Sequence, residues 1–341
     1  MASTTKSKKA QEETSNEITF PPWHVALALV AACAASLPAQ AEYPERPIRM
    51  IVGFPPGQAT DIVARIAAKQ IQDALGKPVI VENKPGAAGS IGSDLVAKAD
   101  PDGYTLVVGS SGTMAINPSL YSHLPYHPLK DFEPISLLSV VPLFLVVNPS
   151  VKAETAADFV KLAKASPGKL NYGSGGSGVT SHLTMELLKY EQGMDLVHVP
   201  YKGSPAAATD LIGGQVSAMI DTGAVLLPYA RNGKLRVLAV ASEKRNPAAP
   251  EIPTMEEAGL GHFVAPAWVG LATPKGTPQP VIDKIYQALA KNWTTAPEVG
   301  RVLNGLGAEA VVMPPAEFRS YIQSEIDKWA IAVNLAGAKV D

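Results

Sequence analysis

Two glycine-rich turns constrain this chain more than any other feature, because each lies between a short apolar strand and the start of a helix. The first turn is residues 53–61, Gly-Phe-Pro-Pro-Gly-Gln-Ala-Thr-Asp, and it follows the strand Ile48–Val52. The second is residues 173–182, Gly-Ser-Gly-Gly-Ser-Gly-Val-Thr-Ser-His, and it follows the short strand Leu170–Tyr172. Turns of this kind direct free backbone N–H groups and the positive end of a helix dipole at one point. Two such points on separate lobes would hold a small anion, carboxylate or phosphate, from both sides.

The size and charge of the chain limit the class of protein. With 341 residues it exceeds a single comfortable core, so we expect two lobes. Charged residues make up 18% and hydrophobic residues 46%, which is typical of a compact, water-soluble protein. The net charge is −2, and no basic run follows the N-terminal segment. The sequence therefore predicts no nucleic-acid partner.

The N-terminal segment indicates export. Residues Val25–Leu37 are apolar apart from Ser36, but this run is shorter than the roughly 20 apolar residues that a membrane-spanning helix needs. Three lysines precede the run, and Ala39-Gln40-Ala41 follows it as a small-x-small cleavage signal. We therefore predict a signal peptide over residues 1–41 and a mature chain that begins at Glu42.

An alternative interpretation of the same segment is a lipid anchor. The sequence Val30-Ala31-Ala32-Cys33 fits a lipoprotein box, in which Cys33 would carry the lipid. Cys33 is also the single cysteine of the chain, so a mature protein that begins at Glu42 has no thiol. Export of a compact chain without disulfides points to the bacterial periplasm.

The order of strand and helix patterns predicts an α/β fold with mainly parallel sheets. The predicted strands are Ile48–Val52, Val79–Val81, Tyr104–Val108, Leu143–Val147, Leu170–Tyr172, Leu196–Val199, Val216–Ile220, Leu235–Ala241, Val269–Thr273 and Ala310–Met313. The predicted helices are Thr60–Leu75 with Thr60 as N-cap, Ser90–Ala99, one opened by the capping box Thr155–Asp158, Ser181–Tyr190, Ala206–Ile212, Pro278–Trp293 and Pro315–Ala336. The proline-rich stretch from Pro118 to Pro134 shows no clear element.

One lobe is expected to be inserted into the other. Residues 42–141 and 266–341 would form the first, discontinuous lobe, and residues 142–265 the second. The strands Leu143–Val147 and Val269–Thr273 would then carry the two crossings between the lobes and act as the hinge. The predicted architecture is therefore two lobes, each with its own sheet, joined by two crossing strands.

The second turn also matches the dinucleotide-binding fingerprint. Gly173, Gly175 and Gly178 have the spacing of Gly-x-Gly-x-x-Gly between a strand and a helix. A dinucleotide site needs an acidic residue at the end of a strand about 20 positions further on. Glu191 and Asp195 are at about that distance, but no strand is predicted to end at either. The sequence therefore does not favour a nucleotide cofactor.

A hydrolase is the alternative from another functional class. Ser111 or Ser177 with His182 could form part of a Ser/His/Asp arrangement, although neither serine lies in a Gly-x-Ser-x-Gly elbow. His182 more simply lies in the first turn of its helix, where it would donate a hydrogen bond that fixes the loop or contacts a ligand. His, Asp and Glu do not cluster at metal-ligand spacing, so we predict no metal site.

Each turn also has a purely structural interpretation. Pro-Pro-Gly is ordinary turn chemistry, and Asp61 could simply oppose the dipole of its own helix. The second turn is rich in hydroxyls and N–H donors and has few side chains that could build a core, which favours ligand contact. Asp221 lies where a predicted strand ends, and it could contact a ligand or brace a loop.

Longer motifs carry a resemblance to a known family, and they extend from Tyr43 across essentially all of the following chain. They are Tyr43-Pro44-Glu45-Arg46-Pro47-Ile48, Phe54-Pro55-Pro56-Gly57, Asn83-Lys84-Pro85-Gly86-Ala87-Ala88-Gly89, Asp102-Gly103-Tyr104-Thr105-Leu106, Val199-Pro200-Tyr201-Lys202-Gly203, Asp210-Leu211-Ile212-Gly213-Gly214-Gln215-Val216 and Gly233-Lys234-Leu235-Arg236. With these motifs the chain resembles the Bug-type solute receptors, the extracytoplasmic binding proteins of tripartite tricarboxylate transporters.

The resemblance implies a two-lobed periplasmic binding fold of the Venus-flytrap type, type II-like, which closes on a small carboxylic acid. It implies no catalysis and no cofactor, and delivery of the acid to a membrane permease of one large and one small subunit. A receptor that serves a sensor is the related alternative, and we expect a monomer. In the family both loops bind a ligand carboxylate, partly through water. With Asp221 added from its place at a strand end, the candidate ligand-binding residues are Phe54, Pro55, Gly57, Gln58, Thr60, Asp61, Ser174, Gly176, Ser177, Gly178, Thr180, His182 and Asp221.

Two positions depart from the family's usual pattern. The first loop usually reads Pro-Pro-Gly-Gly, and here Gln58 replaces the last glycine. The second loop usually has Thr or Ser after its final glycine, and here that position is Val179. Gln58 adds an amide and bulk, and Val179 removes a hydroxyl. We therefore expect a ligand that differs from plain citrate-like or amino-dicarboxylate acids and is larger and more apolar.

Overall fold

The computed structural model describes residues 43–339. The chain divides into two units, residues 1–43 and residues 44–341, and the second contains all of the elements described below. The predicted signal peptide, Cys33 and the predicted mature start at Glu42 lie outside the described residues. None of the described helices is both long enough and apolar enough to cross a bilayer.

The strands of residues 43–339 form two sheets. They are β1 (Ile48–Val52), β2 (Val79–Asn83), β3 (Thr105–Ser110), β4 (Phe132–Val141), β5 (Leu143–Val147), β6 (Asn171–Ser174), β7 (Val197–Pro200), β8 (Ala218–Thr222), β9 (Arg236–Val240), β10 (Ala267–Pro274) and β11 (Glu309–Ala310).

The helices follow the strands in alternation for most of the chain. They are α1 (Ala59–Leu75), α2 (Ser90–Ala97), α3 (Asn117–Leu120), α4 (Ala156–Ala165), α5 (Thr180–Gln192), α6 (Ser204–Ile212), α7 (Gly223–Arg231), α8 (Gln279–Ala290), α9 (Pro297–Gly305) and α10 (Pro315–Ala336). A short 3₁₀ turn (Ala87–Gly89) precedes α2, and a π-helical turn (Gly112–Ile116) precedes α3.

Both sheets are mixed, which corrects the expectation of mainly parallel sheets. In the first sheet the order is β11-β4-β10-β3-β1-β2, with β1 parallel to β2 and β3, and β10 antiparallel to β3 and β4. In the second the order is β7-β6-β8-β5-β9, with β6 parallel to β7 and β8, and β5 antiparallel to β8 and β9. In each sheet the antiparallel pairs include a strand that the chain enters from the other sheet, β10 in the first and β5 in the second. No crossover within its own sheet makes such a strand parallel to its neighbours.

Two prolines mark the passages between the sheets. β4 ends at Val141 in the first sheet and β5 begins at Leu143 in the second, so the outward passage lies at Pro142. On the return, Ala241 N–H donates to Leu143 O at 2.8 Å, and Pro266 directly precedes β10. Proline has no N–H to donate to a ladder, so it favours the ends of strands. The strands expected to cross, Leu143–Val147 and Val269–Thr273, each lie within one sheet, and the crossings precede them.

Most predicted elements are present, but three of the longer ones were missed. β4 contains Pro134, which indicated a loop in the sequence; here it pairs with Ala272 beside a β-bulge, where a missing N–H is tolerated. The helices α7 and α9 were also not predicted, and α7 begins with Gly223 and contains Pro228. At the start of α1 the N-cap residue is Gln58 instead of Thr60.

The capping box at the start of α4 is confirmed. Thr155 Oγ1 accepts the Asp158 N–H at 3.1 Å, and the Asp158 carboxylate accepts the Thr155 N–H at 3.0 Å. The C-terminal helix α10 also has the predicted bounds, and it packs against β4 of the first sheet and against α5, which follows β6 of the second sheet. Its Phe318, Ile322 and Trp329 are buried in the core.

We predict that Gly270 is required by the packing of α10 on β10. A Cβ at this position would lie 2.2 Å from Phe318 Cζ, and Phe318 is fully buried. Gly270→Ala should therefore lower the free energy of unfolding by about 1–3 kcal/mol through overpacking. Gly300→Ala in α9 is the matched control, because a Cβ there would have no atom within 4 Å and alanine is the better helix former. Urea unfolding of both variants tests this, and equal stabilities would contradict it.

Candidate functional site

A cavity of about 270 Å³ lies between the two sheets. Its lining comes from the elements that follow strands of both sheets and from the passages between them. On the side of the first sheet these residues are Phe54, Gln58, Ala59, Thr60, Ala88, Ser110, Ser111, Gly112, Asn117, Leu120, Tyr121, Val141, Ala267, Trp268 and Val269. On the side of the second sheet they are Ser177, Gly178, Val179, Thr180 and Thr222.

The start of α1 contributes backbone donors to the cavity. Gln58 is the N-cap residue, and its side chain makes no capping hydrogen bond. The first intrahelical bond is donated by Ile62 N–H to Gln58 O at 3.0 Å, so the N–H groups of Ala59, Thr60 and Asp61 precede the helical ladder. Ala59 and Thr60 both line the cavity. These donors and the positive end of the helix dipole suit an anion.

The start of α5 provides the same arrangement from the second sheet. Val179 is its N-cap residue and has no side chain that can cap, and Leu183 N–H donates the first intrahelical bond to Val179 O at 3.1 Å. The N–H groups of Thr180, Ser181 and His182 therefore lie ahead of the ladder. Thr180 Oγ1 lies 3.4 Å from Ser111 Oγ, so the two sides of the cavity meet at these hydroxyls.

A third helix begins at a residue that lines the cavity. Thr222 is the N-cap residue of α7 and makes no side-chain capping bond. It pairs with Leu143 in the second sheet, next to the passage at Pro142. Three helices of nine or more residues therefore begin at one cavity, two from the second sheet and one from the first.

The first loop is held in place by Asp61, which is almost fully buried. Its carboxylate accepts hydrogen bonds from Gly57 N–H at 2.9 Å, from Arg65 at 2.9 and 3.0 Å, and from Asn83 Nδ2 at 2.8 Å. Burial alone would raise the pKa of Asp61, but the bonds from Arg65, Gly57 and Asn83 outweigh it and lower the pKa. These bonds tie Gly57 of the loop to Arg65 and Asn83 through one carboxylate, so Asp61 braces the loop.

The second loop is held by two histidines. His182 Nδ1 accepts the Gly178 N–H at 3.0 Å, and His198 Nε2 lies 2.7 Å from Ser174 Oγ, which also contacts Gly176. The two imidazoles stack with their centroids 3.9 Å apart. Burial lowers the pKa of His182, and burial with the neighbouring His182 lowers the pKa of His198 to about 4. Both rings are therefore neutral at pH 7.

Asp221 is not among the residues that line the cavity. It is buried, and its carboxylate accepts bonds from Ser204 Oγ at 2.6 Å and from the Thr222 N–H at 2.7 Å. Burial raises the pKa of this carboxyl group. Its place just before Thr222 gives it a bracing contact at the start of α7.

The remaining wall of the cavity is apolar. Leu120, Val141 and Val269 present aliphatic side chains, and Trp268 presents an indole ring. The Trp268 Nε1–H donates to Glu325 Oε2 at 2.8 Å, so the one polar group of this ring is directed into the protein. Glu325 also accepts from Trp329 Nε1 at 3.0 Å and pairs with Lys328. In the described structure no lining residue is Asp, Glu, Lys, Arg or His.

The predicted site residues therefore divide into two groups. Those that line the cavity are Phe54, Gln58, Thr60, Ser177, Gly178 and Thr180. Those placed behind the lining or outside it are Pro55, Gly57, Asp61, Ser174, Gly176, His182 and Asp221. For the first group ligand contact stays a prediction. For Asp61, Ser174 and His182 the structure shows contacts that shape the loops.

Sequence reasoning missed most of the apolar wall and the turn after β3. The lining residues that it did not select include Ser110, Gly112, Asn117, Leu120, Tyr121, Val141, Thr222, Trp268 and Val269. One signal was available, because Gly109-Ser110-Ser111-Gly112-Thr113 follows a strand as the two selected turns do. The others come from separate strands and passages, which only the folded chain brings together.

The arrangement does not favour the hydrolase interpretation. His182 uses Nδ1 to accept the Gly178 N–H, and within residues 43–339 no hydrogen bond joins it to Ser111 or Ser177. Among the same residues, no three His, Cys, Asp or Glu side chains lie close enough to share a metal ion.

We predict that Asp61 stabilises the protein through the first loop. In Asp61→Asn an amide N–H would face the donors of Gly57, Arg65 or Asn83, so the free energy of unfolding should fall by about 2 kcal/mol at pH 7. Because its pKa is lowered, this contribution is present above pH 3.8 and is lost as the pH falls below it. Asp73→Asn, at an exposed pair with Lys69, is the control. Equal urea midpoints for the two variants would show that Asp61 does not brace the loop.

Comparison with known proteins gives the family. Residues 63–337 match the family described as "Tripartite tricarboxylate transporter family receptor". This chain belongs to that family. A curated relative, Protein BugT of Bordetella pertussis, is 39% identical over 313 residues, which are 91% of this chain and 96% of BugT.

Solved structures of receptors similar to this one include two with named ligands. "R. palustris Rpa4515 with adipate" is 32% identical with a TM-score of 0.77, and the match covers 88% of this chain and 100% of that one. "MatC (Rpa3494) from Rhodopseudomonas palustris with bound malate" is 33% identical with a TM-score of 0.73, covering 85% and 100%. The fold of this tripartite tricarboxylate transporter receptor is the two-lobed fold of periplasmic binding proteins.

Proposed function

We propose that this chain is a periplasmic solute-binding receptor that captures a small carboxylic acid and delivers it to a tripartite tricarboxylate-type permease. One observation carries this proposal: helices α1, α5 and α7 begin at one cavity, and none of their N-cap side chains makes a capping bond. The uncapped N–H groups need an acceptor. A carboxylate is a good acceptor because it takes several N–H bonds at once and is favoured by each helix dipole.

The neutral lining supports reversible capture. No described lining residue carries a full charge at neutral pH, so the anion would be held by N–H and hydroxyl groups alone. Such dipoles act strongly only where water is excluded, and this requires the two lobes to close over the ligand. When the lobes open, water replaces the same contacts. A receptor has to bind and then release its ligand unchanged, and this arrangement suits that cycle better than it suits turnover.

We assign closure to the passages at Pro142 and Pro266. Residues 42–141 and 266–341 would move as one lobe and residues 142–265 as the other. The contact of Ser111 with Thr180 joins the two lobes at the cavity, so it would form and break with closure. The helix α10 packs against β4 of the first sheet and against α5, which follows β6 of the second sheet. Because it contacts both lobes, it would limit the range of the motion.

The relatives bound to adipate and malate suggest the class of acid. Both ligands are small dicarboxylates with two ends to be held, and helix starts are available here on both sides of the cavity. Gln58 is exposed at the rim of the cavity and is the N-cap residue of α1. There its amide can reach a ligand oxygen or limit the length of the acid.

We predict that a small carboxylate raises the melting temperature of the protein. A panel of dicarboxylates from four to eight carbons, with benzoate and citrate, should contain a compound that stabilises it by about 2.7 kcal/mol at 100 times its dissociation constant. The compound should be recovered unchanged after incubation. Absence of any shift across the panel would contradict a carboxylate receptor, and loss of a generic ester substrate would favour the hydrolase.

We predict that Gly178 is required for ligand binding. Alanine there would be strained, because φ is +78°, and its Cβ would lie 2.5 Å from Leu120 Cδ2 on the other side of the cavity. Gly178→Ala should therefore prevent closure and weaken binding of the ligand found in the panel at least about tenfold. Gly233→Ala is the matched control, since its φ is +67° and a Cβ there would have no atom within 4 Å. Calorimetric affinities that fall equally in both variants would exclude a role for the contact with Leu120.

A further inference from the structure

The two loops at the cavity are braced by the same geometry. In the first, the Gly57 N–H donates to the side chain of Asp61, four residues further on, at 2.9 Å. In the second, the Gly178 N–H donates to the side chain of His182, also four residues further on, at 3.0 Å. Each glycine directly precedes an N-cap residue whose side chain does not cap the helix. In both loops a side chain in the first helical turn thus binds the glycine N–H, and the N–H groups of Ala59 and Thr60 in the first helix and of Thr180 and Ser181 in the second lie ahead of the helical ladder.

We propose that His182 is a positioning residue for the ligand: its neutral imidazole, through Nδ1, holds the Gly178 N–H and keeps the second loop in the shape that binds the carboxylate. The role of a ligand here rests on the proposed function, whereas the loop geometry does not. Gly178 lines the cavity in a left-handed conformation, against Leu120 of the other lobe. A small shift of this residue would therefore change both the N–H donors and the contact between the lobes.

The hydrogen bond to Gly178 defines the tautomer of the His182 ring. Because Nδ1 of His182 accepts, the proton of the neutral ring is on Nε2. Ser174 Oγ lies 3.0 Å from Gly176 O and 2.7 Å from His198 Nε2, so it links the second ring to the loop. The loop is thus held at two points, Gly178 and Gly176. Protonation of His182 at Nδ1 would place a donor against the Gly178 N–H and break the first of these contacts.

Several charged and titratable groups face the histidine pair. Glu186 and Lys189 lie on the same helix as His182; Glu186 accepts from Tyr172 Oη and pairs with Lys189 at 2.7 Å. Tyr172, on β6, stacks on both imidazoles. On the other elements packed against α5, Asp221 is bonded to Ser204 and Thr222, and Glu325 is bonded to two indoles and Lys328. The nearest carboxylate, that of Glu186, is therefore paired. Burial is the main reason that the pKa values of both rings are lowered.

A dependence of binding on pH follows from this geometry. Burial holds the pKa of both histidines below their usual value, so at pH 7 the neutral rings and the intact loop predominate. As the pH falls below the pKa of His182, the ring gains a proton and the loop loses its acceptor. Ligand affinity should then fall by up to about tenfold per pH unit, because binding requires the neutral ring.

Two substitutions at His182 distinguish the loss of the hydrogen-bond acceptor from the protonation of the ring. His182→Asn keeps a side-chain oxygen near the position of Nδ1 and cannot be protonated in this range, whereas His182→Phe fills the space without an acceptor. The exposed His262, replaced as His262→Asn, is the matched control. The probe is the carboxylate that gives the largest melting shift, titrated by calorimetry from pH 7.5 down through the protonation of His182, which the ¹⁵N shift of its ring reports. Comparing variants at each pH cancels the protonation of the probe itself.

The expected result is that wild type and His262→Asn lose affinity together as the pH falls. His182→Asn should bind as wild type at pH 7.5 and more tightly than wild type once His182 of the wild type is protonated, and His182→Phe should bind at least about tenfold more weakly at pH 7.5. The proposal is overturned if His182→Phe binds as wild type at pH 7.5, or if His182→Asn loses affinity with pH as wild type does.

A second measurement does not need a ligand. Amide exchange of Gly178 by NMR should be slow in wild type and His182→Asn and fast in His182→Phe, with wild type becoming fast as the ¹⁵N shift of His182 reports protonation. If no carboxylate binds, the proposed function is wrong. The exchange measurement then still tests whether His182 holds the Gly178 N–H. Equal Gly178 exchange in wild type and His182→Phe, with unchanged melting temperatures, would exclude it.

Discussion

The unpaired backbone N–H groups at the starts of α1, α5 and α7 are the constraint on which the rest of the structure depends. A helix start buried without partners is unfavourable, and a side chain of the N-cap residue can relieve it, as Thr155 does in α4. Here the N-cap residues are Gln58, Val179 and Thr222, and none of them caps its helix. The protein thus leaves its donors to a cavity, where an anion or water has to satisfy them.

Leaving these donors free requires loops that keep their shape without a ligand. The two loops meet this requirement with the same device, a side chain in the first helical turn that binds the N–H of the preceding glycine. Asp61 does so with a charged group that Arg65 and Asn83 also hold, and His182 does so with a neutral ring stacked on His198. The Asp61 contact therefore uses a carboxylate that stays charged near neutrality, and the His182 contact is lost when the pH falls below the lowered pKa of its ring.

The apolar wall has a separate role. Trp268 lines the cavity, and its ring offers no polar group there because Glu325 takes its N–H. Leu120, Val141 and Val269 add aliphatic surface beside it. Such a wall can contact the carbon chain of an acid, while the helix starts hold its carboxylate. The division between polar and apolar sides of the cavity matches a ligand with a charged end and a hydrocarbon body.

The sequence by itself determined the alternation of strands and helices, the two loops and the family, because these depend on local periodicity, turn chemistry and contiguous motifs. It identified Gly178, Thr180 and Gln58 at the cavity, since residues at the start of a helix after a strand share one edge of a sheet. It did not determine the strand directions, the strand at Pro134 or the passages at Pro142 and Pro266, which depend on pairing between distant segments. Nor could it separate residues that face the cavity from those behind it. Asp61 and His182 lie in the first turn of their helices, beside residues that line the cavity, and only the packing of Arg65, Asn83 and His198 turns them inward.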